Sequence, residues 1–133
     1  MTSKFHCTEK QSQILKEKGF NEYCFLSISF FDNTNNSWFV PNKLIKNSYI
    51  GTDYTIPLKY QAINYICEKL NLVPSINNNY ILDNEKFCYG VLAKKERRGT
   101  MDFFEQIAHT SFYNCFEDAQ AELLDKLIDL LIT

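Results

Sequence analysis

The chain has 133 residues, 45% of them hydrophobic and 23% charged, with a formal net charge of −2. That length suffices for one domain with a buried core. The slight acidity excludes a generic nucleic-acid binder held by counterion release, and no apolar run approaches the roughly 18 residues of a membrane-spanning helix.

Thr8 followed three residues later by Gln11 forms a capping box, and Gly19-Phe20 supplies a C′ glycine with its hydrophobic follower. A helix is therefore predicted over Thr8–Lys18, anchored by Ile14 and Leu15. From Glu22 to Phe31 the chain alternates, with Cys24, Leu26, Ile28 and Phe30 on one face and Ser27 and Ser29 on the other. Asp32 to Ser37 is turn chemistry, and Trp38-Phe39-Val40 resumes an extended run before Pro41, which predicts a hairpin. Residues 41–54 read as a long irregular connection.

Thr55-Ile56-Pro57 opens the predicted second helix. Its apolar stripe is Tyr60, Ile63, Cys67 and Leu70, widened by Ala62 and Ile66; it ends near Asn71, and Pro74 cannot continue it. Asn79–Leu82 and Phe87–Lys94 make a second hairpin around Asp83 to Lys86. This leaves Asn77-Asn78-Asn79 as loop and the run 94–98 as a strand end with the loop after it. Residues 101–113 fit a helical turn through Phe103, Phe104, Ile107 and Ala108, or a strand from Ile107 to Tyr113; the strand is favoured for the second half. In the last helix Asn114 is the N-cap and Glu117 holds the capping-box position. Its stripe is Phe116, Ala119, Leu123, Leu127 and Leu130, backed by Leu124 and Ile128. The expectation is a single α+β domain over residues 1–133. It has one antiparallel sheet of four or five short strands and two main amphipathic helices on one face.

Five cysteines (Cys7, Cys24, Cys67, Cys88, Cys115) with no CxxC pair, and no secretory apolar region after Met1, predict a reducing, cytoplasmic setting. Cys24, Cys67 and Cys88 sit among apolar neighbours and are expected in the core. Of the eleven Phe, eight Tyr and one Trp, burial statistics place most in the core as well. Asn35-Asn36-Ser37 matches a glycosylation sequon, which has no bearing without secretion.

Arg97 and Arg98 are the only arginines, within Lys94-Lys95-Glu96-Arg97-Arg98-Gly99-Thr100. A guanidinium fork matches phosphate or carboxylate in a way an ammonium cannot, Gly99 gives a flexible backbone position, and Thr100 adds a hydroxyl donor. Tyr89 and Phe103, with Phe104 and Phe112, could stack a ring beside that patch. The candidate ligand-binding set is therefore Arg97, Arg98, Lys94, Lys95, Thr100, Tyr89 and Phe103. A charged loop that protects a hairpin edge accounts for the same run.

Other chemistry is thinner. His6-Cys7 lies at an N-terminus expected to fray, and His109 precedes Thr110-Ser111 without a specified nucleophile. A His109–Cys115 pair is short of a metal's ligand count. Asp118, Glu122, Asp125 and Asp129 share one helix face, which suits a cation or plain solvation. No Walker loop, GxGxxG, HExxH or GxSxG occurs, so no catalytic residue, cofactor or metal is expected. The basic stretch 86–98 and the acidic stretch 114–133 could meet within one molecule or between two copies; the second is a route to the homo-oligomer that is expected.

Three segments carry a resemblance: Lys18-Gly19-Phe20-Asn21-Glu22-Tyr23-Cys24; Pro57-Leu58-Lys59-Tyr60-Gln61-Ala62 through Glu68-Lys69-Leu70-Asn71-Leu72; and Asn114-Cys115-Phe116-Glu117-Asp118-Ala119 into Leu124-Asp125-Lys126-Leu127-Ile128. In this order the chain resembles a group of short hypothetical proteins from phages and prophages of gut bacteria. Their segments read roughly "KELGFDEPC", "QQAFRWLREKHNL" and "SYEEAELACLDKLIEL". The resemblance covers about a third of the chain and rests on caps and stripes, so it implies a fold and a mobile-element context but no catalytic residue. Asn114 replaces the group's Ser and Ile63-Asn64-Tyr65 its aromatic-rich centre, while segment 25–54 and the basic run have no counterpart.

The expected function is a non-catalytic phage-type binding protein acting on a host factor or a small anionic ligand. A nucleotide immune signal is one such ligand, as for an anti-defence sponge, by analogy alone. The alternatives are a protein-interaction module that binds a bacterial host protein and, last, a small hydrolase using His109.

Overall fold

The computed structural model describes residues 4–28, 38–39, 43–82 and 85–133. The protein is α+β, and it divides into two compact units, Met1–Ala62 and Ile63–Thr133.

In the first unit, α1 (Glu9–Glu17) begins on the capping box: Thr8 Oγ1 accepts from the Gln11 amide at 3.1 Å, and Gln11 Oε1 accepts from the Thr8 amide at 2.9 Å. Gly19 takes φ +95°, and the Phe20 amide reaches back to the Leu15 carbonyl at 2.9 Å, closing the helix as its sequence predicts. The strands β1 (Leu26–Ile28), β2 (Trp38–Phe39) and β3 (Tyr54–Ile56) form an antiparallel sheet in the order β2-β1-β3. Ile28, Tyr54 and Ile56 make its buried cluster, with Leu26 packed against them, and α1 lies against β3. Phe30, Phe31 and the predicted turn 32–37 lie outside the described residues.

Three expectations change here. Tyr54–Ile56 is a strand rather than the end of a connection and the start of a helix, and Tyr54, Thr55 and Ile56 are all buried. A 3-10 turn, Asn47–Tyr49, precedes it, and its Asn47 is a buried clip: Nδ2 donates to the Phe20 carbonyl at 2.8 Å, while Oδ1 accepts from the Thr55 amide at 2.8 Å and from Thr55 Oγ1 at 3.2 Å. His6-Cys7, expected to fray, is held in place. His6 bridges Leu58, the Cys7 amide donates to the Pro57 carbonyl at 2.9 Å, and Cys7 is fully buried.

The chain passes between the units along α2 (Lys59–Leu70), whose buried positions are Ala62, Ile63, Ile66 and Cys67, while Tyr60 is exposed. Asn71 takes φ +56°, the left-handed cap that Asn tolerates, and a strand follows at once.

In the second unit, β4 (Leu72–Leu82), β5 (Glu85–Arg98) and β6 (Met101–His109) form an antiparallel sheet in that order. These strands are longer than predicted. The asparagines expected as loop lie within β4, where the register breaks between Asn77 and Tyr80. Residues 101–109 are strand throughout, so the helical option for the first half fails, and the strand expected to reach Tyr113 stops at His109, with Tyr113 making only an isolated bridge to Cys88. The helix α3 (Phe116–Ile132) covers the face of β5 that carries Cys88, Gly90 and Leu92. A Cβ on Gly90 would stand 3.1 Å from Leu123 Cδ1 and from Thr110 Cγ2, so the missing side chain lets α3 approach the sheet.

The N-cap of α3 is Cys115, one residue beyond the predicted Asn114, and its side chain makes no capping bond. The buried stripe is Ala119, Gln120, Leu123, Leu124, Leu127, Ile128 and Leu131; Phe116 and Leu130, predicted inside, are exposed. Among the described residues the single sheet of four or five strands gives way to two three-stranded sheets, while the short first helix and the two main helices are all present. Among the described residues no helix is long and apolar enough to cross a membrane.

Candidate functional site

The basic run lies entirely within β5, and the turn that follows is only Gly99-Thr100, with Gly99 at φ +65°. A positive φ at the first position of a two-residue hairpin turn is the type II′ pattern, which explains the glycine. Leu72, the first residue of β4, pairs with Lys94. Beyond it β5 has only β6 as a hydrogen-bonded neighbour in the sheet, so the tip of the hairpin overhangs and its side chains from both faces are exposed.

Cross-strand pairs set the faces. Glu96 pairs with Phe103, Arg98 with Met101 and Lys94 with Glu105 on one face; Lys95 pairs with Phe104 and Arg97 with Asp102 on the other. The two guanidinium groups therefore point to opposite faces of the hairpin. Arg98 Nη2 donates to Glu96 Oε2 at 3.3 Å, and its Cζ stands 5.1 Å from the Phe103 ring centroid. Lys95 Nζ stands 3.7 Å from Asp102 Oδ2. The basic run thus finds counter-charges on its own hairpin. Both pairs are exposed and contribute little to stability.

Around this tip is an open cleft of about 690 Å³, lined by Asn71, Lys94, Lys95, Glu96, Arg97, Arg98, Phe103, Phe104 and Glu105. Four cations face two carboxylates, leaving an excess of positive charge. Asn71 closes one side, its Nδ2 donating to the Lys95 carbonyl at 3.2 Å. The cleft gathers five of the seven sequence-derived candidates. Thr100 sits in the turn at the tip, outside this lining. Tyr89 lies eight residues before Arg97 on the same strand, roughly 26 Å away at the usual rise, and packs edge-on against Phe112 with centroids 5.2 Å apart. It cannot share a small ligand with the arginines. Asn71 and Glu105 were missed because neither is near the basic run in sequence. Cross-strand pairing brings Glu105 in, and the start of β4 brings Asn71.

The other candidates make local contacts. His109 ends β6, and its Nδ1 lies 3.1 Å from the Thr110 carbonyl. Thr110 is buried and receives the Gly90 amide on Oγ1 at 2.8 Å. On α3, Glu122 accepts from the Ser111 amide at 2.8 Å and from the Tyr113 hydroxyl at 3.2 Å, so it ties the loop to the helix. Among the described residues no three His, Cys, Asp or Glu side chains gather as a metal site.

The aromatic residues depart furthest from expectation: among the described residues only Phe20 and Tyr54 are buried. In the first unit Tyr23, Phe25, Leu44 and Tyr49 are exposed, and the ammonium of the half-buried Lys46 stands 4.5 Å from the Tyr23 centroid. The Tyr23 hydroxyl lies 3.2 Å from that of Tyr49, and this bond, with Lys46 beside it, lowers the Tyr23 pKa. No known protein family, no curated protein and no solved structure matches this chain.

Proposed function

We propose that the protein is a non-catalytic binding protein whose ligand is a small phosphate-bearing, ring-containing molecule of nucleotide type, held at the tip of the β5–β6 hairpin. The observation that carries the reading is that Lys94, Lys95, Arg97 and Arg98 line one open cleft at the hairpin tip together with Phe103 and Phe104, Arg98 beside Phe103 on one face and Arg97 with Phe104 on the other. Guanidinium and ammonium groups supply donors to phosphate, and an exposed phenyl face supplies a stacking surface for a base. The volume falls within the range of small-molecule sites. Together with the resemblance to phage and prophage proteins, the role we assign is sequestration of a nucleotide immune signal in the bacterial cytoplasm.

Isothermal calorimetry against cyclic mono- and dinucleotides and ADP-ribose tests the reading. Stoichiometric binding of at least one, weakened by added salt, supports it. Silence across the panel removes the sponge.

The second reading is a protein-interaction module. It is favoured by the exposed Tyr23, Phe25, Leu44 and Tyr49 in the first unit, where the Tyr23 and Tyr49 rings meet and the antiparallel Cys24–Ile45 bridge puts Phe25 and Leu44 at neighbouring positions, since grouped exposed apolar side chains mark contact sites. A stoichiometric host protein lost on Phe25→Ser, with no small molecule bound, would favour it over the cleft.

A further inference from the structure

We propose that two copies of this chain join through the outer edge of β6, in an antiparallel register centred on Phe104. This makes one six-stranded sheet from β4-β5-β6 and its symmetry mate. The pairing needs no ligand, so it stands apart from the anion-site reading.

Among the described residues the second sheet has two edges, and they are built differently. The β4 edge carries Pro74, which has no N–H to offer, and a register break between Asn77 and Tyr80. The overhanging edge of β5 carries Lys95, Arg97 and Arg98. Proline, irregularity and cationic side chains are the devices that keep strand edges from pairing. Met101–His109 holds no Pro, Lys, Arg or Gly, and its irregularity against β5 begins only after Gln106. All of it is exposed except the half-buried Ala108, including Met101, Phe103, Phe104 and Ile107.

The hairpin also determines which groups point outward. A two-residue turn makes Arg98 and Met101 a hydrogen-bonded pair. Alternation then commits Phe103 and Glu105 to β5 and turns the N–H and C=O of Asp102 and Phe104 away from it. Two such edges related by a twofold axis pair residues of like parity. Centring on Glu105 would oppose two carboxylates at the axis. Centring on Phe103 would oppose Phe103 with itself but set Asp102 against Phe104 and Glu105 against Met101, leaving both carboxylates opposite apolar side chains. Centring on Phe104 opposes Phe104 with itself, Asp102 with Gln106, Phe103 with Glu105 and Met101 with Ile107, so no like charges meet and aromatic pairs with aromatic. That self-complementarity selects a second copy over an unrelated strand. Because Phe103, Phe104 and Glu105 line the cleft, each copy would border the other's site.

Sedimentation velocity and oxidative cross-linking test this. The wild-type chain is expected to sediment as a dimer. Phe104→Cys, made with Cys115→Ser, should form a disulfide through position 104, since hydrogen-bonded strand partners stand about 5.5 Å apart between Cα atoms. Ser75→Cys, on the β4 edge, should stay uncrosslinked. Gln106→Glu sets a carboxylate against Asp102 twice and should weaken the dimer roughly tenfold, with Asp102→Asn restoring it. A monomeric wild type, cross-linking at position 75 but not 104, or a Gln106→Glu dimer as tight as wild type would each overturn the proposal. None of these readouts depends on whether a nucleotide binds.

Discussion

Arg98 lies over Phe103, its guanidinium carbon 5.1 Å from the ring centroid, and the same guanidinium is tied to Glu96 at 3.3 Å. The arrangement orders a cation and an aromatic face on one side of the hairpin before any ligand arrives, which lowers the cost of ordering them on binding. Phe103→Leu is therefore expected to weaken nucleotide binding by about 1–3 kcal/mol, the usual worth of one base-aromatic stack. Because Phe103 is exposed, the melting temperature should barely move. Calorimetry and a circular-dichroism melt on the same sample separate the two effects.

Asn47 joins three segments of the first unit through the Phe20 carbonyl and both polar groups of Thr55. Both Asn47 and Thr55 are buried, so Asn47→Ala leaves a carbonyl and an amide without partners away from water. The expected loss is about 2–4 kcal/mol, since each lost bond also strands a desolvated group. Urea unfolding monitored by tyrosine fluorescence reads it as a lower midpoint at unchanged slope.

Burial pushes the Cys7 thiol up to about 12 and those of Cys24 and Cys67 up to about 11, from an ordinary value of 9.0. The folded state holds these thiols neutral while the unfolded chain ionises them. Their contribution to stability is therefore complete below pH 9.0 and is lost as pH rises from there towards 11–12. Unfolding free energy should fall over that window, and Cys7→Ala should make the fall shallower. Iodoacetamide with mass spectrometry should label these three positions only under unfolding conditions.

Sequence alone reveals elements whose signals are local. The Thr8–Gln11 capping box and Gly19 bracket α1 within a residue of its observed ends. The leucines of α3 are legible by their spacing, although the cap is displaced from Asn114 to Cys115 and the stripe turns away from Phe116 and Leu130. Tyr54–Ile56 is too short to show alternation, and it is a strand because β1 pairs with it. Asn77 joins β4 for the same reason: cross-strand pairing with Tyr89 overrides a turn-prone sequence. In the cleft the adjacent cations and Phe103 were visible from sequence, whereas Asn71 and Glu105 arrive by pairing across strands. The pleat, which parts Arg97 from Arg98, follows once 94–98 is known to be strand rather than loop.

The most direct measurement titrates wild-type protein and the Arg97→Lys, Arg98→Lys and double variants with the nucleotide that wild type binds. Lysine keeps the charge and removes the bidentate fork, and charge-assisted hydrogen bonds contribute about 1.5–3 kcal/mol each. The double variant should bind at least about tenfold more weakly. Because the two guanidinium groups point to opposite faces, one single variant should account for most of that loss. Wild-type affinity in the double variant would contradict the anion site and leave the basic run as a guarded hairpin edge.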